Sequence, residues 1–121
     1  MSDVRVLVVD DQEPFRRAMA AVVEETDGFV VVGSVTSGEE SLAAAAELRP
    51  QLVLMDVNLP GIDGIEAARL LTSGAERPVV MLLSTYDEDQ FDLHGCGAAA
   101  YVAKASLGPD RLSEAWAEAV R

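Results

Sequence analysis

Residues 52–61 read LVLMDVNLPG, a short apolar run that ends in a carboxylate and is followed by turn-forming residues. An unbroken apolar run such as 52–55 is typical of a strand buried on both faces, as in a parallel sheet. Asp56 would then lie at the carboxyl end of the strand, the edge where open α/β sheets bind ligands. Taken alone, Asp56 would more often be a cap or turn residue. The other strand ends therefore decide its interpretation.

The length and composition indicate a single globular domain. The 121 residues are enough for one hydrophobic core, and 50% of them are hydrophobic. No apolar run approaches the roughly 20 residues of a membrane span, and the N-terminus lacks a secretory signal. Cys96, the only cysteine, cannot form an internal disulfide and lacks the pattern of a metal site. We expect one cytoplasmic domain over residues 1–121, with no membrane contact.

The chain is strongly acidic. Lys and Arg number 9 against 21 Asp and Glu, so the formal net charge is −12. Binding to DNA depends on basic side chains that neutralise phosphates, so this chain is not expected to bind DNA itself. Any contact with DNA would be made by another polypeptide segment.

Strand and helix patterns alternate along the whole chain. Strands are predicted at 4–9, 29–35, 52–56, 78–83 and 98–103, and helices begin near residues 13, 37, 63, 87 and 109. Phe15, Met19, Val22 and Val23 lie at helical spacing and predict the apolar face of the first helix. The alternation predicts a (βα)5 fold, a parallel sheet with helices on both faces.

Polar side chains follow four of the five predicted strands. Asp10 and Asp11 follow the first, Asp56 ends the third, Ser84 follows the fourth and Lys104 follows the fifth. Each is unremarkable singly, but the carboxyl ends of parallel strands lie at one edge of the sheet. Grouped carboxylates repel one another unless a cation intervenes, and oxygen ligands favour Mg²⁺. A lysine and a hydroxyl beside such a metal suit a phosphoryl group, and an Asp can accept one as a nucleophile.

Four segments together resemble the response-regulator receiver domain of two-component signalling. They are VVDDQ at 8–12, MDVNLPGIDG at 55–64, LSTY at 83–86 and GAAAYVAK at 97–104. The resemblance covers essentially the whole chain and implies a flavodoxin-like three-layer sandwich with strand order 2-1-3-4-5. It also implies a phosphoacceptor that is not a turnover enzyme.

The resemblance assigns roles to the residues of the predicted site. It makes Asp56 the phosphoacceptor and Asp11 a direct Mg²⁺ ligand. Asp10 would hold a metal-bound water, and the backbone carbonyl of Asn58 would complete the metal site. The remaining residues act on the phosphoryl group: Ser84 and Lys104 would bind its oxygens, and Tyr101 would change rotamer with Ser84.

The residues after Lys104 are similar to the NarL-type branch, because the proline that many receivers carry there is absent. Members of that branch usually carry a LuxR-like DNA-binding output domain. The resemblance therefore implies a sensor histidine kinase as partner, a homodimer on phosphorylation, and control of transcription through an output domain. We expect residues 1–121 to be the receiver part of a longer protein, with an output-free receiver as the alternative.

The spacing between Ser84 and Lys104 is shorter than is usual in the family. The shortfall falls on the polar helix predicted at 87–93, which has room for only about two turns. We expect this helix to be frayed or displaced, and association to use the first and last helices instead. Trp116 lies on the last helix.

Three alternatives have weaker support. A haloacid-dehalogenase-type phosphatase would need a second Asp where Asn58 stands, and its acidic pair comes last along the chain rather than first. A pseudo-receiver, which binds partners without phosphorylation, is opposed by the complete set of site residues. A flavodoxin would need a phosphate-binding loop where Asp10 and Asp11 would repel a phosphate.

Overall fold

The computed structural model describes residues 3–75, 77–85 and 95–121, and the helix predicted at 87–93 lies outside them. In chain order the strands and helices are β1 (Val4–Val9), α1 (Glu13–Glu25), β2 (Phe29–Val35), α2 (Gly38–Leu48), β3 (Leu52–Asp56), α3 (Gly64–Leu71), β4 (Val79–Ser84), β5 (Ala100–Ala103) and α4 (Pro109–Ala119). From β1 to β4 the strands and helices alternate as predicted, and the final strand is again followed by a helix. A 3₁₀ turn, Lys104–Ser106, follows β5.

The five strands form one parallel sheet in the order β2-β1-β3-β4-β5, which confirms the predicted topology. β3 lies between β1 and β4, and each of its residues is buried. A strand covered on both faces has no side open to water, which explains the unbroken apolar run at 52–55. The carboxyl ends of β1, β3, β4 and β5 consequently lie side by side.

Two apolar layers cover the sheet, one on each face. Leu7, Val53 and Leu82 point to the layer that contains Ala67 and Leu71 of α3. Val8, Leu54 and Met81 point to the opposite layer, which contains Met19 of α1 and Leu112 of α4. Because successive strand residues face opposite sides, each strand contributes to both layers. This is the predicted three-layer arrangement.

Two boundaries differ from the prediction. β5 begins at Ala100 rather than at residue 98, because Gly97 adopts a left-handed φ of +86° that ends the preceding turn. The spacing of Leu112, Trp116 and Val120 predicts that the last helix includes Val120, but α4 ends at Ala119 and Val120 is 54% exposed.

The close approach of α3 to β3 requires glycine at position 64. A Cβ at Gly64 would lie 2.2 Å from the carbonyl oxygen of Asp56. The Gly64 N–H donates to the carbonyl of Val57 at 2.8 Å, and the Asp63 side chain caps the helix by accepting from the Glu66 N–H. The first turn of α3 is thereby held against the end of β3.

Candidate functional site

The predicted site residues meet at the carboxyl edge of the sheet. Asp10 directly follows β1, Asp56 is the last residue of β3, and Ser84 is the last residue of β4. Asp10 and Ser84 are fully buried, and Asp56 is 5% exposed. Charged groups are almost never this buried unless they are paired, so these carboxylates must have partners.

Three carboxylates share this pocket. Oxygen atoms of Asp10, Asp11 and Asp56 all lie within 4.8 Å of one another, with Asp11 exposed and the other two buried. Like charges at this separation repel strongly in a partly buried site. The cluster therefore carries an excess of negative charge that faces solvent through Asp11.

Lys104 reaches two of these carboxylates from the end of β5. Its Nζ lies 2.8 Å from Asp10 Oδ2 and 3.4 Å from Asp56 Oδ2, and the lysine side chain is 9% exposed. One ammonium cannot neutralise three carboxylates, so the site retains a net negative charge when nothing else is bound.

Backbone N–H groups satisfy the other carboxylate oxygens. The Gln12 N–H donates to Asp10 Oδ1 at 2.9 Å, and the Asn58 N–H donates to Asp56 Oδ1 at 3.2 Å. Arg16 Nη1 donates to the Asp10 carbonyl at 3.1 Å, which ties the first turn of α1 to the end of β1. The site is built on rigid strand ends and fixed by local hydrogen bonds.

Burial raises the pKa of the Asp56 carboxyl, and the nearby Asp10 carboxylate raises it further. The Asn58 N–H and the Lys104 ammonium lower the pKa but do not cancel the effect of burial. A charged Asp56 is thus costly in the metal-free site, and a bound cation would reduce that cost.

Ser84 and Tyr101 lie on neighbouring strands on the same face of the sheet. Tyr101 is paired in register with Leu82, and Ser84 with Ala103. Because side chains alternate along a strand, Ser84 shares the face of Leu82 and therefore of Tyr101. Tyr101 is half-buried against that layer.

A family model for the response regulator receiver domain matches residues 6–117, which is nearly the whole chain. The chain belongs to this family. The match confirms the resemblance identified from the sequence and argues against the phosphatase and flavodoxin alternatives.

Two curated relatives of this receiver domain are regulatory proteins about twice as long. It is 45% identical over 103 residues to the response regulator GacA of Pseudomonas viridiflava, covering 84% of this chain and 48% of the relative. It is 33% identical over 105 residues to the transcriptional regulatory protein LiaR of Bacillus subtilis, covering 85% and 50% respectively. The receiver domain spans about half the length of these relatives.

A solved structure has the same fold. The signal receiver domain of NarL from Mycobacterium tuberculosis superposes with a TM-score of 0.90 at 27% identity, covering 99% of this chain and 98% of that one. This likeness supports the flavodoxin-like fold and makes a NarL-type or LuxR-type receiver plausible. Among the described residues, no helix is both long and apolar enough to cross a bilayer.

Sequence reasoning missed two residues beside the site of this receiver domain. Glu39 Oε2 accepts from the Ile62 N–H at 3.3 Å, which fastens the loop after β3 to the first turn of α2.

The second residue is Phe15, which lies over Lys104 rather than in the core, with Lys104 Nζ 4.0 Å from the centroid of the ring. The helical spacing of Phe15 pointed to core packing, but its position one turn after Asp11 was a signal that it faces the site.

Proposed function

We propose that Asp56 accepts a phosphoryl group from the phosphohistidine of a sensor kinase, in a reaction that requires Mg²⁺. The observation that carries this proposal is the cluster of three carboxylates within 4.8 Å, two of them contacted by Lys104. A carboxylate-rich pocket with a buried lysine suits a cation and a phosphoryl group together.

The residues present fit a magnesium ion. The proposed ligands offer only oxygen donors, which hard cations prefer: the carboxylates of Asp10, Asp11 and Asp56 and the backbone carbonyl of Asn58. The carboxylate cluster is open to solvent through Asp11. When bound, Mg²⁺ would supply charge neutralisation for the carboxylates and for the phosphoryl oxygens. Following the family pattern, Asp10 would hold a metal-bound water, and Lys104 and the Gln12 N–H fix the orientation of its carboxylate.

The chain's own residues carry the transfer. An oxygen of Asp56 forms the new O–P bond as the P–N bond of phosphohistidine breaks, and the leaving imidazole keeps the electron pair. Lys104 would shift from Asp56 Oδ2 to a phosphoryl oxygen, and the Ser84 hydroxyl would bind a second one. The Tyr101 rotamer would follow Ser84 and carry the change to the β4–β5 surface.

The partners and the output follow the family. We infer that the phosphorylated domain forms a homodimer, by contact through α1 and α4, and controls transcription in the cytoplasm through a DNA-binding output domain. GacA is a response regulator and LiaR is a transcriptional regulatory protein, which supports this output. In this proposal residues 1–121 form one receiver domain that acts as a switch rather than as a turnover enzyme.

Labelling with acetyl phosphate tests the phosphoacceptor. Intact-mass measurement in the presence of Mg²⁺ should show one added phosphoryl group on the wild-type chain and none on Asp56→Asn. Asp110→Asn, at an exposed carboxylate of α4, is the matched control and should be labelled like wild type. Equal labelling of Asp56→Asn would refute the assignment, and an unlabelled wild-type chain would favour the pseudo-receiver.

A further inference from the structure

The Lys104 ammonium contacts an aromatic ring as well as two carboxylates. Its Nζ lies 4.0 Å from the centroid of the Phe15 ring, within the distance at which a cation is attracted to an aromatic face. Phe15 is 37% exposed, whereas the Lys104 side chain is 9% exposed. The ring therefore stands between part of the ammonium and the solvent.

Phe15 lies at the edge of the site and is not a member of either core layer. Phe15 belongs to the first turn of α1, and the next residue, Arg16, is bound to the Asp10 carbonyl at 3.1 Å. A cavity of about 50 Å³ lies beside the ring and the lysine stem, lined also by Met19, Leu83 and Leu107. Packing around the ring is thus incomplete, and the ammonium lies over the ring.

We propose that Phe15 is a positioning residue for Lys104, and this inference rests on the proposed function. A lysine side chain is flexible and its ammonium is strongly hydrated. If only the two carboxylates held the Lys104 ammonium, it could leave Asp10 and move toward solvent. The ring face disfavours hydration and holds Nζ near Asp56 Oδ2, where a phosphoryl oxygen arrives. The cavity gives the lysine stem room to follow that oxygen during transfer.

Substitutions that keep or remove the ring face test this inference. Phe15→Leu keeps apolar volume but removes the π face, and it should slow Asp56 labelling by acetyl phosphate about two- to five-fold at saturating Mg²⁺. Phe15→Tyr keeps the face and should restore most of the rate. Replacing Phe15 by phenylalanines with one, two and three ring fluorines should lower the rate stepwise, because fluorine weakens the π face without changing the fold.

A second measurement does not depend on phosphorylation or metal. Lys104 is the only lysine in the sequence, so selective lysine labelling gives one side-chain signal. Its ε-methylene protons should be shifted upfield by the ring in the metal-free wild type, and should move downfield in Phe15→Leu. Phe29→Leu, which alters an aromatic packed on Trp116 at the amino end of the sheet, should leave this shift and the labelling rate unchanged.

The outcomes separate the two proposals. A labelled wild type with an unchanged Phe15→Leu rate, or a rate independent of fluorination, overturns the role of Phe15 and leaves the phosphoacceptor intact. An unshifted Lys104 signal in the wild type likewise overturns the contact. A wild-type chain that is not labelled at Asp56 instead refutes the proposed function, and with it any role of Phe15 in the transfer.

Discussion

The two edges of the central sheet differ in how far their charged side chains are exposed to water. At the amino edge, the Arg5 N–H donates to Gln51 Oε1 at 3.0 Å, and Arg5 Nη1 donates to the Arg49 carbonyl at 3.0 Å, both in exposed positions. At the carboxyl edge, Lys104 is bound to Asp10 and Asp56 in a pocket that buries all three. Both edges use a basic side chain to bind oxygen atoms of neighbouring segments, the end of α2 at the amino edge and two strand ends at the carboxyl edge, but only the carboxyl edge removes the charges from water.

This difference separates a structural contact from a chemical one. Exposed polar contacts exchange readily with water and add little stability. Buried like charges cost free energy, and such a costly arrangement is typical of groups that bind a cation or a phosphoryl group. The edge with the costly arrangement is therefore the edge that we assign to function.

Removing the Lys104 ammonium from the carboxyl edge should have the largest effect on the free energy of unfolding. Lys104→Met keeps the apolar stem but leaves Asp10 buried beside Asp11 and Asp56 with no ammonium to contact. Breaking a buried pair in this way should cost about 3 kcal/mol of unfolding free energy in metal-free buffer. Urea unfolding in the presence of EDTA measures it, and a loss below about 1 kcal/mol would show that the pocket is more hydrated than its burial indicates.

Magnesium should partly offset the unfavourable free energy of the grouped carboxylates at the same edge. At ten times its dissociation constant, an ion that binds only the folded state adds about 1.4 kcal/mol of stability, and the melting temperature should rise accordingly. Asp11→Ala should abolish most of this increment, because Asp11 is the exposed carboxylate through which the cluster meets solvent.

The matched control for this prediction is Glu24→Ala, at an exposed carboxylate of α1. It should keep the full magnesium increment. If the stability gained from magnesium survives in Asp11→Ala, the ion binds elsewhere on this acidic surface. The carboxyl edge would then not be the metal site.

Much of this contrast was predictable from the sequence, because strand ends are easy to place. The apolar runs before Asp10, Asp56 and Ser84 located the carboxyl edge, and the alternation of strands and helices set the topology. The partner of each side chain was not predictable. Nothing in the spacing showed that Lys104 contacts both Asp10 and Asp56, because this depends on how β5 lies beside β4.

Other residues show the same limit of periodicity. Phe15 matched the apolar spacing of α1, yet its ring lies over Lys104 instead of in the core. The spacing of Ser37 and Glu40 predicts a capping box at the start of α2, and Ser37 does accept from the Glu40 N–H at 3.0 Å. The Glu40 carboxylate, however, accepts from the backbone and side chain of Thr36, one residue earlier than such a box requires.

A smaller effect should come from neutralising the phosphoacceptor. Asp56→Asn removes a buried charge while Lys104 keeps Asp10, so the metal-free variant should be about 1 kcal/mol more stable than wild type at neutral pH. Because the pKa of Asp56 is raised in the folded state, the folded wild type takes up a proton more readily than the unfolded chain. The penalty on the wild type is therefore present above the folded pKa and disappears as the pH falls through it.

Urea unfolding of the two proteins at several pH values in metal-free buffer tests this sign. The stability difference should shrink steadily on acidification. A difference that grows as the pH falls would mean that Lys104 and the Asn58 N–H outweigh burial, and that the wild-type carboxylate is stabilised in the folded state.

The smallest effect is expected at the amino edge, and it is the sharpest test of the comparison. Like Lys104→Met, Arg5→Met removes a basic side chain that binds an oxygen atom of a neighbouring segment, and both substitutions lower the net charge by one. Any long-range effect of charge on this acidic chain is thus the same in the two variants. The Arg49 carbonyl lies at an exposed position where water can replace the Arg5 side chain, and the contacts of the Arg5 backbone with Gln51 remain. Arg5→Met should therefore lower the free energy of unfolding by no more than about 0.5 kcal/mol in the same urea assay.

A loss of unfolding free energy as large as that of Lys104→Met would contradict this comparison. The effect of Lys104→Met would then reflect the total charge of the chain rather than the burial of its ion pairs, and the two edges would not differ in this way.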